Sequence, residues 1–366
     1  LKKFILVQGL LIQSLLLSSS EFESLDNILS NNLEDPLIIG FSHGRFDKSL
    51  DILNYGDKLT STKPEKAISD TLFISYKYNK FKISYESLSS TGTVQRQTQP
   101  KKLETDVQGS SLFLSYNFLE NEKNNYEIGL FSKKEEQDPV TIDCYAFGST
   151  VIGGSCEEAK LRLLNSSIYK STGELIYEPV LKTEGESSSE GIYLRISPKD
   201  LNLLNFTHTF SYKTSDINQD YESAILDTTD SFIRGLSIDG NNAGTLLDNF
   251  KDELPQKTPW KENTFKYSIS NLVPLGNSFG LSTMYSFIKV SRSNFLTNPN
   301  KEDFTKNHLL DLSLFYKFND YGILYLKLSA SSNYLLGENP LAYNRKSSHL
   351  FDHPYGQLNA GLILNF

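Results

Sequence analysis

The sequence has one methionine and one tryptophan beside 20 tyrosines and 23 phenylalanines. Aromatic residues at 12% exceed what disordered chains of low hydrophobicity contain, which excludes disorder as the main state. Runs of about 20 apolar residues, the requirement for membrane helices, do not recur along the chain, which excludes a polytopic helical membrane protein. A basic surplus is absent too. Lys and Arg total 36 against 44 Asp and Glu, a net charge of -8, and this argues against a nucleic-acid partner. No G-x-x-x-x-G-K, G-x-G-x-x-G or zinc-ligand set occurs, so no cofactor or metal is expected.

Lys2 and Lys3 open a stretch that is apolar from Phe4 to Leu17, broken by Gln8, Gly9, Gln13 and Ser14, and followed by Ser18, Ser19 and Ser20. A charged start, a short apolar core and small residues at the exit predict a secretory signal peptide over 1–20. The two cysteines, Cys144 and Cys156, flank a Gly-rich stretch. In an oxidising compartment they are expected to pair, and so short a loop gains about 3 kcal/mol from closure.

Period-2 alternation recurs along the chain. In 309–318, Leu310, Leu312, Leu314, Tyr316 and Phe318 share one face, with Asp311, Ser313 and Lys317 on the other. In 321–331, Leu324, Leu326, Leu328 and Ala330 stand opposite Ile323, Tyr325, Lys327 and Ser329. The connections alternate in length. Short ones at Asn79-Lys80, 120–124, 198–200, 274–277 and Asn319-Asp320 separate long polar stretches at 47–69, 89–109, 133–188, 214–262, 291–307 and 335–353. Short turns on one side and long loops on the other mark a transmembrane barrel. The pattern predicts an all-β protein: an antiparallel up-and-down transmembrane barrel over 37–366, of about 12 strands, or 14 if 161–169 and 174–182 form another hairpin. Residues 21–36 are left as a short periplasmic or plug segment. Tyr76, Tyr78, Phe81, Tyr116, Phe118, Tyr126, Tyr316 and Tyr321 crowd the short turns, as a periplasmic aromatic girdle would.

The chain finishes Y-G-Q-L-N-A-G-L-I-L-N-F, with Leu358, Ala360, Leu362, Leu364 and Phe366 on one face. This resembles the C-terminal strand of bacterial outer-membrane β-barrel proteins, porins among them. The resemblance implies an assembly signal read by the barrel assembly machinery, and an outer membrane with its lipid and lipopolysaccharide as surroundings.

Catalytic patterns are sparse. Outer-membrane phospholipases carry a local H-x-S motif, and neither His43, followed by Gly44 and Arg45, nor His208, followed at the second position by Phe210, supplies it. His208 reads as an interfacial residue, and His349, Asp352 and His353 form only a loose ligand set. Residues left pointing inward include Lys77, Lys82, Arg195, Lys266, Lys317 and Lys327, against Glu86, Glu127 and Asp311. The expectation is a diffusion channel for small polar, preferably anionic, solutes. An outer-membrane hydrolase acting on lipid, lipopolysaccharide or peptide, and a loop-mediated binding barrel, stand as alternatives. Whether the chain is an enzyme is left open.

Overall fold

A computed structural model describes residues 36–46, 63–95, 103–142, 181–200, 205–222, 259–294, 305–319, 321–332 and 355–366, with isolated positions between 229 and 248. Seven strands come first: β1 (Leu37–Phe46), β2 (Lys63–Tyr78), β3 (Phe81–Gln95), β4 (Leu103–Glu120), β5 (Asn124–Ile142), β6 (Leu181–Pro198) and β7 (Thr207–Glu222). A helical turn, α1 (Ser231–Gly235), and a small hairpin, β8 (Ser237–Ile238) with β9 (Asn241–Asn242), interrupt the series. Five strands complete it: β10 (Trp260–Leu275), β11 (Phe279–Ser293), β12 (Lys306–Asn319), β13 (Gly322–Ser331) and β14 (Tyr355–Asn365).

Apart from β8 and β9, each strand pairs antiparallel with its neighbours in sequence, β7 pairs with β10, and β14 pairs with β1 to close a barrel. The barrel therefore has twelve strands, not fourteen. Residues 161–169 and 174–180 lie outside the described residues, and β6 begins only at Leu181. The seam is zipped at its foot by Leu37 N–H to Phe366 O, 3.3 Å, and Phe366 N–H to Leu37 O, 2.9 Å.

The short turns have local causes. Asn79 adopts φ 53°, which Asn tolerates better than most side chains, and this folds β2 onto β3 in two residues. The Asn121 side chain accepts hydrogen bonds from the backbone N–H groups of Lys123 and Asn124, at 2.9 and 2.7 Å, fixing the β4–β5 turn. Gly276 at φ 83° shapes the β10–β11 turn.

The strands run further toward the long-loop side than alternation indicates. The stretches expected as loops contain the upper parts of β2 to β7 and of β10 to β12, and β4 and β5 reach 18 and 19 residues. About 9–11 residues suffice to cross the hydrocarbon. Beyond it the outward face meets water and carries polar residues, so the polarity alternation fades in sequence, although inward side chains such as Glu135, Gln219 and Trp260 stay buried and the backbone ladder continues. The β6–β7 connection departs the other way: β7 starts at Thr207, later than the alternation near 202 indicates.

The walls are two-sided. On β4, Leu112, Leu114, Tyr116 and Phe118 are exposed on the outside, while Ser111, Phe113 and Ser115 are buried within. On β12, Leu310, Leu312, Leu314 and Tyr316 face out, while Asp311, Ser313 and Phe315 face in. Aromatic pairs line the outside near the short turns: Phe81 with Tyr116, ring centroids 4.7 Å apart, and Phe279 with Tyr316 at 4.8 Å. A continuous exposed apolar belt would be unstable in water and is matched to lipid.

Candidate functional site

The chemistry of the described residues is concentrated on the inward wall. Its first layer is apolar. Phe73, Phe113, Tyr193, Leu272, Phe315, Ile323, Tyr325 and Ile363 form one buried cluster, with Ile38 and Phe131 packed against it. These rings fit because glycines stand opposite them. Phe73 lies over Gly40, Phe315 over Gly280 and Tyr325 over Gly361, each directly across a strand pair. On β5 and β6 the arrangement is reciprocal: Tyr193 covers Gly129, and Phe131 covers Gly191. The sequence signal was the matched pair G-L-F at 129–131 and G-I-Y at 191–193, which sequence reading passed over.

Charged groups share this wall. Glu127 is fully engaged: its Oε1 accepts from Tyr193 Oη at 2.8 Å and Arg195 Nη1 at 3.3 Å, and its Oε2 from Lys82 Nζ at 3.4 Å. Arg195 sits directly opposite Glu127 in the β5–β6 register and is buried. Asp311 and Lys327 form a second pair, Nζ to Oδ2 3.6 Å, with both side chains almost wholly buried. Neither Asp311 oxygen nor Lys327 Nζ has a hydrogen-bond partner, so charge alone joins them. Breaking such a buried pair one-sidedly strands the other charge. Lys266 is buried on β10, Lys317 is half-buried near the foot of β12, and Lys77 is exposed beside the β2–β3 turn.

Sequence reading missed the upper part of the wall. Arg292 Nε bonds Glu262 Oε2 at 3.0 Å, directly across the β10–β11 register, and Thr264 Oγ1 donates to Glu262 Oε1 at 3.3 Å. Lys133 pairs with Glu135 at 2.8 Å, and Ser187 donates to the same carboxylate at 3.3 Å. All four charged residues fall in stretches read as loops.

The histidines described are on the outside. His43 Nδ1 is 2.8 Å from Asp70 Oδ1, His208 Nδ1 2.9 Å from Tyr267 Oη, and His308 Nδ1 2.7 Å from Tyr285 Oη. Leu358, Ala360, Leu362 and Leu364 project from the outward face of β14, with Phe366 exposed just beyond it. Cys144 and Cys156, residues 1–35, His349 and His353 lie outside the described residues. In the long loop, Arg234 bonds Asp248 at 2.5 Å and the Gly244 carbonyl at 3.5 Å, and the Asp248 bond raises the Arg234 pKa further.

A closed, even-stranded antiparallel barrel, apolar outside and polar within, defines an outer-membrane β-barrel protein. No family model matches the chain, and no curated protein matches it. Among solved structures, the chain is similar to the translocator domain of the autotransporter NalP from Neisseria meningitidis, at 10% identity over 94% of each chain and a TM-score of 0.48. It is also similar to the KdgM porin, at 11% identity over 90% of this chain and 99% of that one, TM-score 0.38. LpxR from Salmonella typhimurium matches at 9% identity over 90% of this chain and 100% of that one, TM-score 0.39. The choice of function rests on the wall itself.

Proposed function

We propose that this protein is a narrow diffusion channel of a Gram-negative outer membrane, passing small polar solutes with a preference for anions. The observation that carries the reading is the charge of the inward wall. Lys82, Lys133, Arg195, Lys213, Lys266, Arg292, Lys317 and Lys327 outnumber Glu86, Glu127, Glu135, Glu262 and Asp311. Fixed charges in a confined bore are screened less than on an open surface and set its selectivity. The apolar layer of rings narrows the path, so conductance is expected to be small. The partners in this reading are the passing solute, lipid and lipopolysaccharide around the belt, and the barrel assembly machinery at the outward face of β14. Single-channel recording of the purified protein in planar bilayers tests it: small ohmic steps with an anion-selective reversal potential are expected, and silence or cation selectivity would refute it.

A second reading, a lipid-acting hydrolase, draws on His43 and Asp70. A histidine oriented by a carboxylate on the lipid-facing wall is the base-and-orienter half of a catalytic arrangement. Lipid hydrolysis by the purified protein, abolished in His43→Ala, would favour this reading over the channel.

A further inference from the structure

The inward wall is shielded where its own side chains are shortest. Ser42 on β1, Ser84 and Ser90 on β3, Ser189 on β6, Ser215 on β7 and Ser286 on β11 are each at most 1% exposed, so the shielding runs round the barrel. About eight strands enclose the room that their own side chains fill, and twelve enclose more. A twelve-strand wall lined in good part by serine does not close its own bore, so more chain covers it. The cover must suit two surfaces. One is the ring layer of Phe73, Phe113, Phe315 and Tyr325. The other is the basic surplus of the inward wall, which reaches the foot at Lys77 and Lys317.

The chain enters the barrel beside these foot lysines. Lys77 N–H donates to Pro36 O at 2.8 Å, and Lys77 stands directly opposite Lys82. In sequence, Glu34 and Asp35 come immediately before Pro36. Residues 21–35 carry Glu21, Glu23, Asp26, Glu34 and Asp35 with no Lys, Arg or His, and Phe22, Leu25, Leu29 and Leu33 recur at helical spacing. As a helix the stretch would measure about 22 Å, against an apolar belt ~25 Å tall. We propose that residues 21–35 fold back through the foot and occupy the bore as an acidic, amphipathic plug. Its apolar stripe meets the ring layer, and its carboxylates meet the basic wall. This adds regulation to the channel reading and, for conductance, rests on it. The attraction that favours passing anions also holds the plug, which keeps the resting conductance below that of the bare bore.

The test places one thiol in the wall. Ser286→Cys, in the full chain with Cys144→Ser and Cys156→Ser, is expected to react little with a water-soluble maleimide, and removal of 21–35 should bring labelling to completion in the same time. A synthetic peptide of residues 21–36, added to the shortened protein, should restore the shielding. The same peptide with its five acids replaced by amides should bind roughly tenfold more weakly. In planar bilayers, removal of 21–35 should raise the unit conductance, and the peptide should lower it again from one side only. Heat-modifiable gel mobility checks that each variant is folded. Equal labelling of the wall thiol with and without 21–35 would overturn the plug, whether fast in both or slow in both. So would equal protection by a peptide of scrambled order. Bilayer silence of both proteins, with labelling that still depends on 21–35, would instead sink the channel reading and leave the plug standing.

Discussion

Gly280→Ala would place a methyl group 2.0 Å from Cζ of Phe315, with two further ring atoms at 2.5 and 2.6 Å. All three nearest atoms belong to that one ring, so the ring is the first group that must move. Its own surroundings resist, because Phe315 is buried in the apolar layer beside Tyr325, its cross-strand partner. Overpacking of this kind costs about 1–3 kcal/mol. The background effect has the opposite sign, since Ala in a strand interior is favoured over Gly by roughly 0.5–1 kcal/mol. Gly280→Ala alone should therefore destabilise the barrel by about 1–2 kcal/mol. In a Phe315→Leu background the same change should stabilise it by roughly 0.5–1 kcal/mol, the Gly-to-Ala gain alone. A double-mutant cycle in urea, with the protein in lipid vesicles, measures the coupling. Trp260, the single tryptophan, is buried in the wall and reports unfolding by fluorescence. Additive effects of the two substitutions, with no change of sign, would refute the interlocking of ring and glycine.

Four other outcomes are expected. Lys266→Glu should shift the reversal potential in a salt gradient toward cations, and Lys327→Met should instead lower stability by about 3–5 kcal/mol by stranding Asp311, a loss partly recovered by Asp311→Asn. Cys144 and Cys156 should resist thiol labelling on intact cells until a reductant is added; labelling without reductant would mean free thiols. Deleting 228–248, the stretch that carries α1 and the Arg234–Asp248 bond, should raise single-channel conductance if that segment overhangs the mouth, and unchanged conductance would assign it to solvent.

The belt was legible because lipid outside and water inside force opposite chemistry on successive residues. The faces of 309–318 and 321–331 read from the sequence are those of β12 and β13, and the long and short connections alternate as read. What stayed hidden has two physical origins. Where strands rise above the belt, the outward face turns polar as well, so Glu135, Glu262 and Arg292 sit in sequence without an apolar face opposite them, although Trp260, Ile217 and Val290 still share their inward wall. Ion pairs of the wall also join residues far apart: Arg195 and Glu127 are separated by 68 positions and meet through a register that only the folded sheet supplies. The matched G-x-aromatic segments at 129–131 and 191–193 were visible, and became meaningful once antiparallel pairing set each ring over the other's glycine.

The seam between β1 and β14 has a kinetic meaning. Its ladder matches Ile38 with Asn365 and Phe46 with Gln357, contacts that span nearly the entire described chain. Pairing of such high contact order is slow to form spontaneously. Until it forms, β1 and β14 each expose a row of unsatisfied backbone groups, the kind of edge that recruits foreign strands. In hydrocarbon those groups have no water to turn to, so an unzipped intermediate is costly inside the bilayer. Every other hairpin in the barrel can be prepared locally, and the last ladder alone converts an aggregation-prone ribbon into an edgeless cylinder. A catalyst that holds these two edges while the rest of the sheet assembles would therefore accelerate the one step that the chain itself does least well.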